Sequence, residues 1–212
     1  MKVCLRIATP QDAQLVHDTY GHYIVTSTAT FNEVNPSVET HAKDIQAQLE
    51  TYPYLIAENE AGRFLGYACA EPFRPQTGYR YFAELTIFLA PDAPRRSGVG
   101  SRLYQALLPF LERQGFRQVV AVITSTNEGS LALHRSFGFT EAARLVRSGY
   151  TPIQGDREIP AVDFIVILNR FGKAPEQKGQ NDPRVSPRAP QQCGSTGMSG
   201  LTNCVWDLLF QL

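Results

Sequence analysis

The sequence predicts a mixed α/β domain, with strands and helices alternating around one core. Three observations predict it. Short β-branched, apolar runs alternate with amphipathic helical stretches from Val3 to Asn169. Two of the strand-like runs, Tyr54 to Asn59 and Arg63 to Glu71, are separated only by Glu60-Ala61-Gly62, the signature of a hairpin. A chain of 212 residues is long enough for one such domain with a full core.

Val3 to Ala8 reads as the first strand. Thr9-Pro10-Gln11-Asp12 opens a helix, with a Thr cap, Pro in the first helical position and an acid in the first turn. Ala13, Val16, Tyr20 and Ile24 form its inner stripe, and Thr26 to Asn32 is expected to be extended or irregular. Ser37-Val38-Glu39 starts a second helix to about Thr51, with Ile45 and Leu49 inward. After the hairpin, Pro72 to Arg80 is a loop and Tyr81 to Leu89 a strand. Gly98 to Gln114 is a helix with Val99, Leu103, Leu107 and Phe110 on one face. Pro109 lies inside it, and the hydrogen bond it removes predicts a kink or an early end. Arg117 to Thr124 is β-branched enough to be a strand buried on both faces. Glu128 to Phe137 is a helix that Gly138 stops. Phe139 to Ser148 and Ala161 to Asn169 are two final strands around a loop.

The composition changes after Gly172. Lys173 to Gly200 is rich in Pro, Gly, Gln and Ser and nearly free of large apolar residues, so it predicts disorder. Cys204 to Leu212 is apolar again. The expected organisation is a domain over 1–171 and a tail over 172–212.

Lys and Arg total 20, as do Asp and Glu, so no net charge draws nucleic acid or an anionic membrane. No run approaches the roughly 20 apolar residues of a membrane span, and the N-terminal residues do not read as a secretory leader. Cys4, Cys69, Cys193 and Cys204 lack metal-ligand spacing. Cys4 and Cys69 sit in apolar runs and read as small buried hydrophobes. These features predict a cytoplasmic protein without metal. Tyr20, Tyr23, Phe31, Tyr79, Tyr81 and Phe82 have few interleaved basic residues and read as core and pocket lining.

The chemistry concentrates at Arg95, Arg96, Ser97, Gly98, Val99, Gly100 and Ser101, between a strand and a helix. Glycines admit close approach of a ligand to the backbone. The helix N-terminus offers unpaired N–H groups and partial positive charge, and the two arginines add forked donors. Strand, basic glycine loop and helix together predict a pyrophosphate site. Glu84 lies mid-strand among apolar residues. It is either a solvent-facing acid or a desolvated one whose raised proton affinity suits a general base. Asn127 precedes a helix and can cap it.

The ordered set from Phe82 to Phe139 resembles the GNAT superfamily of acyl-CoA-dependent N-acetyltransferases. Arg95-x-x-Gly98-x-Gly100 is similar to its acyl-CoA signature, and Asn127 with Phe137-Gly138-Phe139 to its second motif. Tyr23 to Phe31, Tyr52 to Leu55, Ala83 to Ile87, Val119 to Ile123 and Leu133-His134 narrow the likeness to the phosphinothricin N-acetyltransferase branch, over about Val3 to Leu168. The resemblance implies a mostly antiparallel sheet flanked by helices, with two central strands splayed. It implies acetyl-CoA as cosubstrate, held by Arg95 to Ser101, by the backbone of Ile87, Phe88 and Leu89, and by Asn127. It implies Glu84 as general base toward a small amino-acid-like amine, and a homodimer. His134 stands where many relatives carry a Tyr that protonates the leaving thiolate; its alternative role is a hydrogen-bonded histidine facing the strand. Arg74, Tyr79 and Phe31 fall on the acceptor side. Two departures bear on the acceptor: Gln76 replaces a further basic residue, and Tyr150 to Val162 lacks the Gly- and Trp-containing turn of many relatives. A peptide or protein N-terminal acetyltransferase and a non-catalytic acyl-CoA-binding module are the competing readings.

Overall fold

Among the described residues, seven strands form a single sheet: β1 (Val3–Ile7), β2 (Tyr54–Asn59), β3 (Phe64–Pro72), β4 (Phe82–Leu89), β5 (Gln118–Thr124), β6 (Thr140–Gly149) and β7 (Val162–Arg170). Their order is β1-β2-β3-β4-β5-β7-β6. The coordinates are a computed structural model that describes residues 1–149 and 162–171. The readings of the 150–161 turn and of the 172–212 tail, with Cys193 and Cys204, lie outside the described residues.

Every neighbouring pair is antiparallel except β4–β5, which is parallel. Among the described residues, four α-helices, α1 (Ala13–Thr26), α2 (Val38–Gln48), α3 (Val99–Arg113) and α4 (Glu128–Ser136), cover the sheet. Strand alternation sends successive side chains to opposite faces. Leu55, Ala68, Leu85, Val119, Ala121 and Ile165 point to one face and pack with Leu103, Leu107 and Leu111 of α3 and Leu131 of α4. Tyr54, Ile56, Tyr67, Cys69 and Phe88 point to the other, against Ala13 and Val16 of α1 and Ile45 of α2.

The local starts and stops follow from sequence. Ser37 caps α2, its side chain accepting from Thr40 N. The helix ends at Gln48, short of Thr51, and a turn bond from Tyr52 N to Gln48 O closes it. Pro10 to Asp12 form a single 3-10 turn before α1 rather than its first turn. Asp12 there accepts from Thr9 N at 2.7 Å and from both terminal nitrogens of Arg6.

Three expectations are corrected. α3 runs through Pro109 to Arg113 without the early end. Its face of Leu103, Leu107, Leu108, Phe110 and Leu111 is buried, and that burial outweighs one missing hydrogen bond. β5 is not buried on both faces throughout: Val122 is 43% exposed, because it lies on the face opposite α3, beyond the strands that α1 and α2 pack against. Cys69 is buried, but Cys4 is exposed. Cys4 lies on edge strand β1, directly opposite Glu58, at a polar margin of the sheet.

Gly66 shows how tightly β3 and β4 are joined. It has φ +147°, and an added Cβ would fall 2.6 Å from Phe88 O and 2.8 Å from Leu89 Cα. Gly66→Ala is therefore expected to lower stability by about 1–3 kcal/mol, read as a drop in the urea unfolding midpoint. An unchanged midpoint would mean that β4 shifts without cost.

Candidate active site

Parallel pairing of β4 with β5 lasts only three residues: Phe82↔Gln118, Ala83↔Val119 and Glu84↔Val120. Beyond Glu84 the strands part. The main-chain groups of β4 alternate in direction along the strand. Phe82 O accepts from Phe73 N, and Ala90 N donates to Leu65 O, so the even-numbered residues face β3. Tyr81 O accepts from Arg117 N, so the odd-numbered residues face β5. The open edge past the parting is therefore the main chain of Ile87 and Leu89. Phe88, expected as a third contact, turns its main chain to β3 and its ring into the core beside Tyr20, Tyr23 and Tyr67. Tyr23 Oη donates to Leu89 O at 3.0 Å and steadies the end of the edge.

The Arg95–Ser101 loop follows directly. Arg96 has φ +55° and Gly98 φ +79°. Left-handed residues beside right-handed ones form anion-binding concavities of main-chain N–H groups, and this one runs into the N-terminus of α3. Ser97 Oγ donates to Pro94 O at 2.6 Å and closes the turn. The two glycines do different jobs. At Gly98 a side chain would meet open space, and the glycine is there for its φ. At Gly100 an added Cβ would sit 3.0 Å from Leu133 Cδ2 and 3.6 Å from Ile87 Cδ1, so this glycine lets α3 approach α4 and β4. A cavity of about 430 Å³ opens beside the loop, lined by Lys2, Ser97, Gly98, Ser101, Arg102 and Gln105 among others. Its donors suit a phosphorylated ligand.

Glu84, at the last paired position, has the same alternation as Phe88 and so faces the α1–α2 side. It is half-buried, and burial pushes its carboxyl above the usual range, with the Arg74 charge pulling the other way. Arg74 is thus brought within electrostatic reach of Glu84. It lies over the Phe73 ring, 4.4 Å from the centroid, and Tyr79 packs on the same ring. Phe31 lies elsewhere on the rim. It packs against Phe164 at 4.6 Å, over Gly149, where a side chain would strike both rings.

Asn127 caps α4, its Oδ1 accepting from Ser130 N at 3.1 Å. His134 is 1% exposed. Its Nδ1 lies 2.7 Å from Ser130 O, which can only accept, so Nδ1 carries the proton. Nε2 then accepts from Tyr104 Oη at 2.7 Å. Burial lowers the proton affinity of the ring and raises that of Tyr104. The imidazole is a neutral tie between α3 and α4, the hydrogen-bonded arrangement that was its alternative.

Residues 5–152 match the family model described as an acetyltransferase (GNAT) domain. The chain belongs to the GNAT acetyltransferase family. It is 37% identical over 146 residues to phosphinothricin N-acetyltransferase of Streptomyces viridochromogenes, spanning 69% of this chain and 79% of that one. It is 31% identical over 150 residues to the L-methionine sulfoximine/L-methionine sulfone acetyltransferase of Pseudomonas paraeruginosa, 70% of this chain and 87% of that one. Among solved structures it is similar to a GNAT superfamily phosphinothricin acetyltransferase of Sinorhizobium meliloti in complex with AcCoA: TM-score 0.75, 30% identity, 88% of this chain and 97% of that one.

In this acetyltransferase two polar residues escaped the reading of the sequence. Tyr104 was not singled out, although its place next to Leu103 in a helix with a buried face could have signalled it. Glu71 lies directly opposite Glu84 in the β3–β4 ladder; pairing the strands across the Pro72–Arg80 loop would have found it. Among the described residues, no group of three or more His, Cys, Asp or Glu could hold a metal ion, and no helix is long and apolar enough to cross a membrane.

The buried tie makes a stability prediction. Tyr104→Phe leaves His134 Nε2 buried without a donor and should cost about 1–3 kcal/mol in urea unfolding. The depressed His134 basicity has its own signature. Below the unfolded histidine pKa of about 6.5 the unfolded chain binds the extra proton, so this contribution to stability falls as pH drops from there toward the folded value. His134→Gln should flatten that part of the stability profile.

Proposed function

We propose that this family member is an acetyl-CoA-dependent N-acetyltransferase acting on the amine of a small amino-acid-like acceptor, of the phosphinothricin or methionine sulfoximine kind. The observation that carries the reading is the coincidence of three features at one point: β4 and β5 part, Glu84 stands at the parting, and the left-handed arginine loop opens α3 just beyond. The similarity to phosphinothricin and methionine sulfoximine acetyltransferases supports the same chemistry.

The loop amides and the arginines hold the diphosphate of the cosubstrate, and the open main chain of Ile87, with the N–H of Leu89, pairs with its amide-bearing arm. Acetyl-CoA supplies the activated thioester carbonyl. An amine acceptor arrives protonated and must lose a proton before it can attack. Glu84 takes that proton, directly or through water. The free amine then attacks the carbonyl without a covalent enzyme intermediate, and an unpaired N–H of the open edge is available to the developing oxyanion. The thiolate takes its proton from solvent, since both nitrogens of His134 are already engaged. Arg74 binds the acceptor carboxylate next to Glu84, so the ammonium and carboxylate of an amino acid find opposite charges. With Gln76 supplying no second cation there, singly anionic acceptors fit better than doubly anionic ones. We also assign a homodimer to the chain; exposed Leu145 and Val146 on edge strand β6 support it.

Glu84 must be ionised to act. Because burial raises its proton affinity, kcat/KM should fall with decreasing pH starting above the ordinary carboxylate range. Glu84→Gln should lower kcat/KM for L-methionine sulfone by about 10²–10⁴-fold; a wild-type value across pH removes Glu84 from the mechanism. Replacing Arg95 and Arg96 together by Gln should weaken coenzyme A binding by about tenfold or more in calorimetry. Equal affinity in that variant would move the diphosphate away from this loop.

A further inference from the structure

The β3–β4 register brings two acids together on the acceptor face. Glu71 and Glu84 are opposite each other, and they share the parity of Phe73–Phe82 and Leu65–Ala90, whose main chains are hydrogen-bonded. Opposite residues in such pairs have Cα atoms about 5.5 Å apart with side chains on the same face. Glu71 is half-buried, and Thr86 Oγ1 donates to its Oε1 at 3.5 Å. A carboxylate cross-strand from a carboxylate is a cost that a structural role does not explain.

We propose that Glu71 is a positioning residue for Glu84: it places a second negative charge beside the general base, and that charge makes Glu84 a stronger acceptor for the amine proton. The inference rests on the reading of Glu84 given above. Thr86 gives the Glu71 carboxylate one long hydrogen bond, but among the described residues no cation offsets its charge. Tyr20 of α1, Tyr54 of β2, and Tyr67 and Cys69 of β3 are neutral, since burial raises the proton affinity of each. Asp44 of α2 adds a further negative charge. Arg74 is the cation that acts here, and it acts on Glu84. Burial and then the charge on Glu84 push the Glu71 carboxyl up. The repulsion is mutual, so the two acids release their protons as a pair, in two steps. The doubly ionised pair is the form with the strongest base. When the amine proton reaches Glu84, the repulsion between the two acids is relieved, which favours the transfer.

The test is kcat/KM against pH for wild type, Glu71→Gln, Glu71→Asp and Glu84→Gln, with L-methionine sulfone as acceptor. The acceptor's own titration is common to all four and cancels in the comparison. Glu71→Gln keeps shape and removes charge. Its acid limb should move down by about one pH unit and its plateau should fall a few-fold, as a weaker base predicts. Glu71→Asp keeps the charge and should keep the limb near the wild-type position. A purely structural Glu71 would lower kcat/KM at every pH and leave the limb in place. If Glu84→Gln shows its large loss while the limb of Glu71→Gln stays put, the role of Glu71 is overturned and that of Glu84 stands. If Glu84→Gln runs at the wild-type rate, the base assignment fails and this inference fails with it.

Discussion

The parting of β4 from β5 is the constraint on which the site depends. Sheets gain most from continuous ladders, yet this parallel pair stops after three residues. On the α3 face, Ile87 of β4, Gly100 of α3 and Leu133 of α4 converge, close enough that one added methyl at Gly100 would sit tightly against Leu133. The gap leaves main-chain donors and acceptors unpaired inside a folded domain, which costs free energy unless another partner supplies the bonds. A ligand with amide groups can. The same parting puts Glu84 where one side is sheet and the other is cleft, and it sets the arginine loop at the open end.

The two faces of the sheet divide the work. On one, α3 and α4 fill a core of leucine, valine and isoleucine, and the buried Tyr104–His134–Ser130 chain there is satisfied at both ring nitrogens. A buried polar group so satisfied specifies how two helices meet. On the other face the cover is thinner. Aromatic residues of α1, β3 and β4 pack around Phe88, and beyond them stand Glu71, Glu84, Thr86 and Arg74. Acids at this boundary are dehydrated enough to hold protons more tightly, yet open enough to exchange them.

Much of the fold was legible in the residues because it rests on short-range chemistry. The hairpin at Glu60-Ala61-Gly62, the Ser37 cap and the stop at Gly138 are local events, and each formed where the sequence placed it. Pro109 misled because its local cost is real but smaller than the burial of the face around it. Val122 misled because β-branching measures strand preference, while burial depends on which helices reach which strands. The glycines of the loop were legible as a pair, but not their separate purposes, since only Leu133 shows why Gly100 lacks a side chain.

By itself, the order of strand, basic glycine loop, helix and Asn pointed to a phosphorylated ligand, because helix N-termini and left-handed glycines are properties of a few consecutive residues. It also determined the family, through the same ordered residues. The tertiary structure decided what depends on residues distant in the chain: that β4 and β5 part at Glu84, that Arg74 comes within reach of that acid, that His134 is tied to Tyr104 thirty positions away, and that Glu71 faces Glu84 across a ladder. Register and burial are set by the packing of the whole sheet, and no local stretch of sequence carries them.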